Sequence, residues 1–348
     1  MLKRLRTMAL SVLSASALLA LSGPASPVQA QSEDGFQAYL QSLWPKAQAM
    51  GVSRRTFDSV VTGLTYNPRV VQLDNSQPGG STNSPIPAFA PYRNTHVDAS
   101  RINRGRAKYR ALRPFLAKVE AETGVPESIM IAIYGHETNY GAVLGDFDLP
   151  RSLATLAYEG RRRSLFEPEF LATLKMIENG YPRSQLVGSW AGAFGYPQFL
   201  PTVYLRLAKD GDGDGRANIR TSEADALASI ANYFRQSGWR RGEDWGFAVT
   251  VPQSLNRSAI ATKLKSPRCP RVHERHSQWK SIDEWKQLGI MSRSGSWPAG
   301  NTLATLIEPD GPNATAYLLT GNYKVILDYN CSNFYGLTVG LLADEVSR

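Results

Sequence analysis

The sequence predicts a mainly α protein (α+β) with a small antiparallel β lobe in its later half. Apolar residues recur at helical spacing in two long stretches, Phe36, Tyr39, Leu40, Leu43 and Trp44 in one and Ile102, Tyr109, Leu112, Leu116 and Val119 in the other. The run Ile129-Met130-Ile131-Ala132-Ile133-Tyr134-Gly135-His136 is almost wholly apolar and ends on Glu137, the pattern of a helix buried on all sides. From Trp245 the pattern changes to short β-branched and aromatic runs: Phe247–Val251, Leu303–Ile307 and Ala316–Leu319.

In chain order, the first thirty residues carry the signs of an export signal. Lys3, Arg4 and Arg6 form a positive end, Met8 to Leu21 an apolar stretch, and Val28-Gln29-Ala30 a small-residue cleavage site. Cleavage there would start the mature chain at Gln31. No cysteine near that point offers a lipid anchor, so the expectation is an exported, soluble, periplasmic protein with no stable membrane anchor. Residues 35–63 are expected to be helical, with a second short helix over Arg54–Leu64. Residues 74–98 hold Gln77-Pro78-Gly79-Gly80-Ser81 and three further prolines, and are expected to be an extended surface loop. A long helix is predicted over 100–123. Segment 126–240 forms a helical core, residues 253–300 are irregular, and a last helix runs from Ser332 to Val346.

The chain has 348 residues and a formal charge of +9. Loss of Lys3, Arg4 and Arg6 leaves +6. That modest excess suits an anionic polymer such as cell-wall glycan. No helix carries a basic stripe with a reader motif, so nucleic acid is not expected as a partner. The sequence names no protein partner. Cys269 and Cys331 are the only cysteines, and the sequence leaves open whether they pair or stay as isolated thiols.

Glu137 is the candidate catalytic residue. Pro126 after Gly124-Val125 marks a helix start with Glu127 in its first turn, and Gly141 is a natural stop. An acid at the end of such an element is poorly hydrated, and desolvation raises its pKa. The negative end of the helix dipole pushes the same way, but by under roughly 1 kcal/mol, so burial dominates. A carboxyl group kept protonated near neutral pH serves as a general acid. The segment alone equally allows a buried glutamate paired with an arginine.

A second constellation is Gly188-Ser189-Trp190-Ala191-Gly192-Ala193-Phe194-Gly195-Tyr196-Pro197-Gln198-Phe199-Leu200-Pro201. Small residues leave the backbone open to close approach, and interleaved aromatics with a flanked glutamine suit a sugar groove. A tightly packed Gly-rich turn is the plainer alternative. Gly-His-Glu-Thr-Asn-Tyr-Gly at 135–141 and this segment together resemble the lytic murein transglycosylase B family. The resemblance continues through Asp212-Gly-Asp-Gly-Arg216 and Asp225 to Phe234, and ends in Tyr329-Asn330-Cys331-Ser332 and Tyr335.

That resemblance implies a lysozyme-like core carrying a single catalytic glutamate, matched by Glu137. It implies cleavage of the β-1,4 bond between N-acetylmuramic acid and N-acetylglucosamine in peptidoglycan glycan strands, without water, leaving a 1,6-anhydromuramoyl end. It places Ser189 near the acid, and Gln198, Tyr233, Tyr329, Asn330 and Tyr335 along the glycan groove. It sets Arg162 and Arg163 against the anionic stem or lactyl group. Arg161 is expected to be a solvated charge, Tyr233 has a core role as its alternative, and His136 is expected to be a packing or groove residue rather than a ligand. The implied division is a leader at 1–30, an N-terminal helical lobe at 31–114 and the catalytic core at 115–244. A small β lobe at 245–328 and a C-terminal helix at 329–348 complete it, so that both termini contribute to the helical lobe.

The residues agree with that chemistry. Lysozyme-type hydrolysis needs two carboxylates, and the motifs offer one buried acid. Asp146 and Asp148 follow it, but Gly145 and Pro150 put them in a loop. One carboxyl suffices where the substrate supplies its own nucleophile. A non-catalytic peptidoglycan-binding protein and a hydrolytic muramidase on the same fold are the competing functions.

Asp210, Asp212 and Asp214 alternate with glycines, with Gly215 at loop position six and the Arg216 carbonyl at seven, matching the start of an EF-hand calcium loop. Position twelve is Thr221 rather than glutamate. The family's longer loop assigns the later acid to Asp225, which could instead cap the next helix with Ser222. Structural Ca²⁺ is expected, and no organic cofactor. Arg220 stands where the family more often carries tryptophan.

Overall fold

The computed structural model describes residues 33–77, 87–263 and 265–348. The expected leader, 1–30, lies outside the described residues. Helices α1 (Glu33–Ser42), α2 (Trp44–Ala49), α3 (Arg54–Val61) and α4 (Pro68–Asn75) open the chain. Ser53 caps α3 by accepting from the Thr56 N–H. Three of these helices, α1 to α3, occupy the stretch read as helical at 35–63, and α4 had no counterpart in that reading. The expected loop at 74–98 is corrected: α5 (Phe89–His96) lies inside it, with Pro91 in its first turn, where a proline costs no hydrogen bond. Residues 78–86 of that stretch lie outside the described residues.

The long α6 (Ala99–Thr123) follows, capped by Asp98 at one end and by left-handed Gly124 at the other. The division expected at 114/115 falls inside α6, which continues through Pro114 as one element. Helix α7 (Glu127–Thr138) is wrapped by its neighbours, and Met130, Ile131, Ala132 and Ile133 are fully buried. Each such large side chain contributes about 1.5–3 kcal/mol, so α7 is held by packing rather than by helix propensity.

Strand β1 (Phe147–Asp148), α8 (Leu149–Glu159), α9 (Arg163–Glu178) and β2 (Val187–Gly188) come next, with β1 and β2 paired antiparallel. Helices α8 and α9 share a core with α1–α4 through Phe36, Leu40, Phe57, Leu153 and Phe170. After α10 (Pro201–Leu207) and α11 (Glu223–Gln236) the β lobe begins. It contains β3 (Gly246–Thr250), α12 (Pro270–His273), β4 (Lys280–Ser281), α13 (Ile282–Gln287), β5 (Met291–Ser292), β6 (Leu303–Ile307) and β7 (Ala316–Leu319). The sheet order is β4-β6-β7-β3-β5, antiparallel throughout.

Two corrections arise here. The stretch 253–300 is not wholly irregular, since a Ser281/Glu284 capping box starts α13. Residues 321–328 belong to α14 (Gly321–Tyr329), whose Tyr323 and Ile326 are buried in the central core with α7 rather than in the β lobe. Helix α15 (Asn333–Val346), capped by Ser332, closes that core. No helix among the described residues is long and apolar enough to cross a membrane.

Candidate active site

Helix α7 delivers Glu137 in its last turn. It stops at Thr138 rather than at Gly141, because Asn139 and Tyr140 adopt left-handed backbone (φ 53° and 59°). The chain folds back there, and the Tyr140 ring drops against Gly135 and Gly105. A Cβ at Gly135 would stand 2.6 Å from that ring, and one at Gly105 only 2.4 Å from its hydroxyl, so both positions need glycine. Glu137 is only partly exposed at this turn. Burial pushes its carboxyl up to about 7, and a hydrogen bond donated by the Tyr335 hydroxyl to Oε1 (2.6 Å) opposes that rise. No arginine pairs with Glu137 among the described residues, which decides against the buried ion pair. Asp148 is committed elsewhere: it caps α8 through the Arg151 N–H (2.9 Å) and pairs with Arg183 (2.6 Å).

Three distant segments meet around this acid. Tyr335 comes from the first turn of α15. Tyr329, at the end of α14, donates its hydroxyl to the Pro197 carbonyl, and burial first and the charge of Glu137 second push its pKa up. Tyr233 on α11 lies edge-on to Tyr329 at 4.8 Å and donates to the Asp328 carbonyl (2.7 Å), so its hydroxyl is spent on holding α14. Asn330 is exposed just beyond, its N–H closing α14 on Ile326.

Sequence reasoning missed Tyr92 and His96. Burial first and the charge of Glu137 second raise the pKa of Tyr92 on α5, and its ring stacks on His96 at 3.8 Å. His96 lies parallel to His136 at 5.6 Å. The signal was present in Phe89 and Tyr92 at i, i+3 behind an early proline. His136 packs as expected, and burial, followed by the charge of Arg101, lowers its pKa to about 3, so it stays neutral.

The Gly-rich segment forms a tight loop against the end of α7. The Ser189 Oγ accepts from the Ala193 N–H (2.9 Å), while the Ser189 N–H donates to the Ala193 carbonyl (2.7 Å). Gln198 holds left-handed backbone (φ 50°), a conformation that costs a non-glycine residue about 1–2 kcal/mol. Its amide donates to the Gly195 carbonyl (2.9 Å), leaving its oxygen as an acceptor. The loop is tied down by Tyr196 N–H to the Ile219 carbonyl (2.8 Å) and by the Thr138 hydroxyl to the Tyr196 carbonyl (3.3 Å).

Arg162 and Arg163 sit at the α8–α9 turn, engaged with the helical lobe. Arg162 pairs with buried Asp74 and lies over Phe166, and Arg163 donates to the Ala157 carbonyl (2.9 Å) and covers Tyr39. Arg161 is not a free solvated charge, because it too pairs with Asp74. One buried carboxylate thus takes two guanidinium groups, linking α4 to the α8–α9 turn.

In the acidic loop, ligand oxygens of Asp210, Asp212 and Asp214 lie within 4.8 Å of one another, all exposed. Such a set of hard oxygens fits a calcium ion, which would offset their mutual repulsion. The loop is preformed: Asp210 accepts from the Gly213 (2.6 Å) and Gly215 (2.8 Å) N–H groups. Asp225 is buried. It accepts from the Gly211 (2.8 Å) and Asn218 (2.6 Å) N–H groups, and its own N–H donates to the capping Ser222. It braces the loop from behind and stands apart from the three clustered carboxylates. Arg220 donates to the Val187 carbonyl (2.7 Å), joining the loop to β2. Glu223 then accepts from both Tyr134 (2.6 Å) and Lys108 (2.5 Å), connecting α11 to α7 and α6.

Cys269 and Cys331 are paired in a disulfide, which settles the open question from the sequence. It ties the segment before α12 to the turn between α14 and α15.

Residues 35–344 match the family model described as a transglycosylase SLT domain. The chain is 28% identical over 306 residues to the membrane-bound lytic murein transglycosylase B of Escherichia coli strain K12, covering 85% of this chain and 79% of that protein. Among solved structures it is similar to SltB3 of Pseudomonas aeruginosa in complex with NAG-NAM-pentapeptide. That match has a TM-score of 0.80 at 36% identity, over 90% of this chain and 79% of the other. SltB3 has also been solved with NAG-anhNAM-pentapeptide. Slt35 of Escherichia coli in complex with calcium matches with a TM-score of 0.71 at 25% identity, over 90% of this chain and 92% of the other.

Proposed function

The chain belongs to the transglycosylase SLT domain family, and from that premise we propose that it is a lytic transglycosylase of peptidoglycan with Glu137 as its one acid and base. The fold is mainly α with a small antiparallel sheet, and its neighbours are lytic transglycosylases with a lysozyme-like core. The observation that carries the mechanism is the Glu137 carboxyl, raised by burial to about 7 and accepting from a tyrosine hydroxyl, with no second acid in contact with it among the described residues.

At neutral pH a large share of Glu137 is protonated. It gives its proton to the glycosidic oxygen between the muramoyl and glucosaminyl units, and the bond from muramoyl C1 to that oxygen breaks. The carboxylate left behind, steadied by Tyr335, takes the proton of the muramoyl 6-hydroxyl as that oxygen bonds to C1. Glu137 ends protonated, no water is consumed, and a 1,6-anhydro ring forms. The attack is intramolecular, so proximity replaces an activated water. A lysozyme-type hydrolysis would need a second carboxylate to activate water or trap the sugar.

In this reading Ser189, Gln198, Tyr329, Asn330 and Tyr335 line the glycan cleft, with the Gln198 amide oxygen as a fixed acceptor. Tyr233 backs that wall. Arg162 and Arg163 meet the anionic lactyl or stem group while anchored on the helical lobe. Asp210, Asp212, Asp214 and the Arg216 carbonyl would hold Ca²⁺, with Asp225 bracing the loop. Bound calcium supplies charge neutralisation that stiffens the loop at the head of α11. Protein is exported to the periplasm and released by cleavage after Ala30.

Mass spectrometry of fragments released from purified peptidoglycan by the mature protein and by Glu137→Gln tests this. Muramoyl ends one water lighter than a lysozyme digest, absent with the variant, are expected. Hydrated ends would change the reaction to hydrolysis, and glycan binding without release would move the chain to a binding protein.

A further inference from the structure

On the β-lobe side of the cleft the structure forms a basic groove that the glycosidic chemistry does not use. Its first part, about 580 Å³, lies between the end of α11, α14 and the segment before β4. Its second part, about 600 Å³, lies between α10 and α11. The two meet at Ser237 and Asp328. Arg206, Lys209, Arg240, Lys265, Arg268 and Lys324 line them, against Asp328 as the one lining carboxylate. Arg240 is tied to Glu243 and Arg268 to Asp328 (both 3.3 Å). Arg206, Lys209, Lys265 and Lys324 are exposed and have no ion pair among the described residues. Residues 31–348 carry a formal +6, so much of the chain's net charge gathers in one concave surface, where walls of low dielectric focus its field.

The groove is also built. The Cys269–Cys331 disulfide and the Arg268–Asp328 ion pair fasten its outer wall to the end of α14. Asp328 is followed directly by Tyr329 and Asn330, so the groove opens one residue away from the cleft wall. Trp279, 38% exposed, stands at its rim as a flat apolar face.

We propose that this groove binds the carboxylate-bearing stem peptides of peptidoglycan lying outside the cleft, separately from Arg162 and Arg163. The inference rests on the lytic transglycosylase reading for its choice of ligand. A strand whose glycosidic bond sits at Glu137 carries further stems along its length. A fixed groove of unpaired cations beside the cleft holds their carboxylates without touching the scissile sugar. Its contribution is to the affinity for stem-bearing wall, and it leaves the bond-breaking step alone.

The test uses the mature protein and a triple variant, Lys209→Gln, Lys265→Gln and Lys324→Gln. Substrates are intact sacculi and the same sacculi stripped of stems by an amidase. On intact sacculi at low salt KM should rise about fivefold with kcat unchanged. On stripped strands both constants should match wild type, and the corresponding Lys→Arg variant should restore KM. Thermal melting equal to wild type guards against a folding defect. An unchanged KM on intact sacculi, or an equal rise on both substrates, overturns the proposal. If wild type releases nothing from either substrate, the lytic reading fails instead. Co-sedimentation of Glu137→Gln protein, with and without the three changes, on the two kinds of sacculi then still decides the groove.

Discussion

Replacing Tyr335 by phenylalanine removes the one hydroxyl that donates to Glu137. That 2.6 Å hydrogen bond favours the carboxylate and holds its pKa below the value burial alone would set. A hydrogen bond to a charged group contributes about 1.5–3 kcal/mol, and one pKa unit corresponds to about 1.4 kcal/mol. The carboxyl should therefore climb by about one to two units from its value of about 7. The protonated form starts the reaction, and its population falls as pH rises through that pKa. The high-pH limb of kcat/KM should move upward by the same one to two units. Tyr335 is 6% exposed and the ring remains, so no cavity accompanies the change. The assay is the initial rate of anhydromuropeptide release from sacculi across the neutral and alkaline range, for wild type and Tyr335→Phe. A limb that stays in place or moves to lower pH would refute the reasoning, since either Tyr335 would not act on the carboxylate or Glu137 would not be the titrating acid.

Glu137→Gln should abolish release and raise stability in a pH-dependent way. The folded carboxyl titrates near 7 against an ordinary value of 4.5, so the folded state holds the extra proton across that window and wild type loses stability as pH rises through it. The variant should gain on the order of 3 kcal/mol over wild type above pH 7 and little below the ordinary carboxyl pKa. Urea unfolding on both sides of the window measures this, and a gain that does not grow with pH would contradict the burial argument. Calcium should raise the melting temperature of wild type in proportion to the logarithm of its concentration once saturating, by about 2.7 kcal/mol of stability at a hundredfold excess over Kd. Asp212→Asn should blunt that rise, and a melting curve indifferent to both calcium and chelator would count against the site. Reducing the Cys269–Cys331 disulfide, which closes a separation of 62 residues, should cost about 4 kcal/mol on the chain-entropy account. Denaturant midpoints with and without reductant give the number, and equal midpoints would show that the unfolded chain is not constrained by the bridge.

What the sequence by itself determined was local. An unbroken apolar run marked α7 as buried before any fold was known, and its terminal acid was marked for desolvation. Alternating β-branched runs placed β6 and β7, and aspartates at alternate positions marked the acidic loop. Each of these follows from periodicity or spacing within about a dozen residues, which the chain carries wherever it folds. The misses were of two kinds. Helix α5 was hidden by prolines that its first turn tolerates, and α14 by β-rich surroundings, so local composition pointed the wrong way.

The tertiary structure alone decided how the parts serve one another. Tyr335 donates to an acid 198 residues away, and Tyr92 enters the site from a segment read as loop. Arg161 and Arg162 share the one carboxylate of Asp74, and Asp225 turns from the three clustered carboxylates to the backbone behind them. No spacing rule reaches such contacts. Hydrogen bonds and ion pairs act over a few ångströms, and only the packing of α7 among α6, α11 and α15 brings those atoms within range.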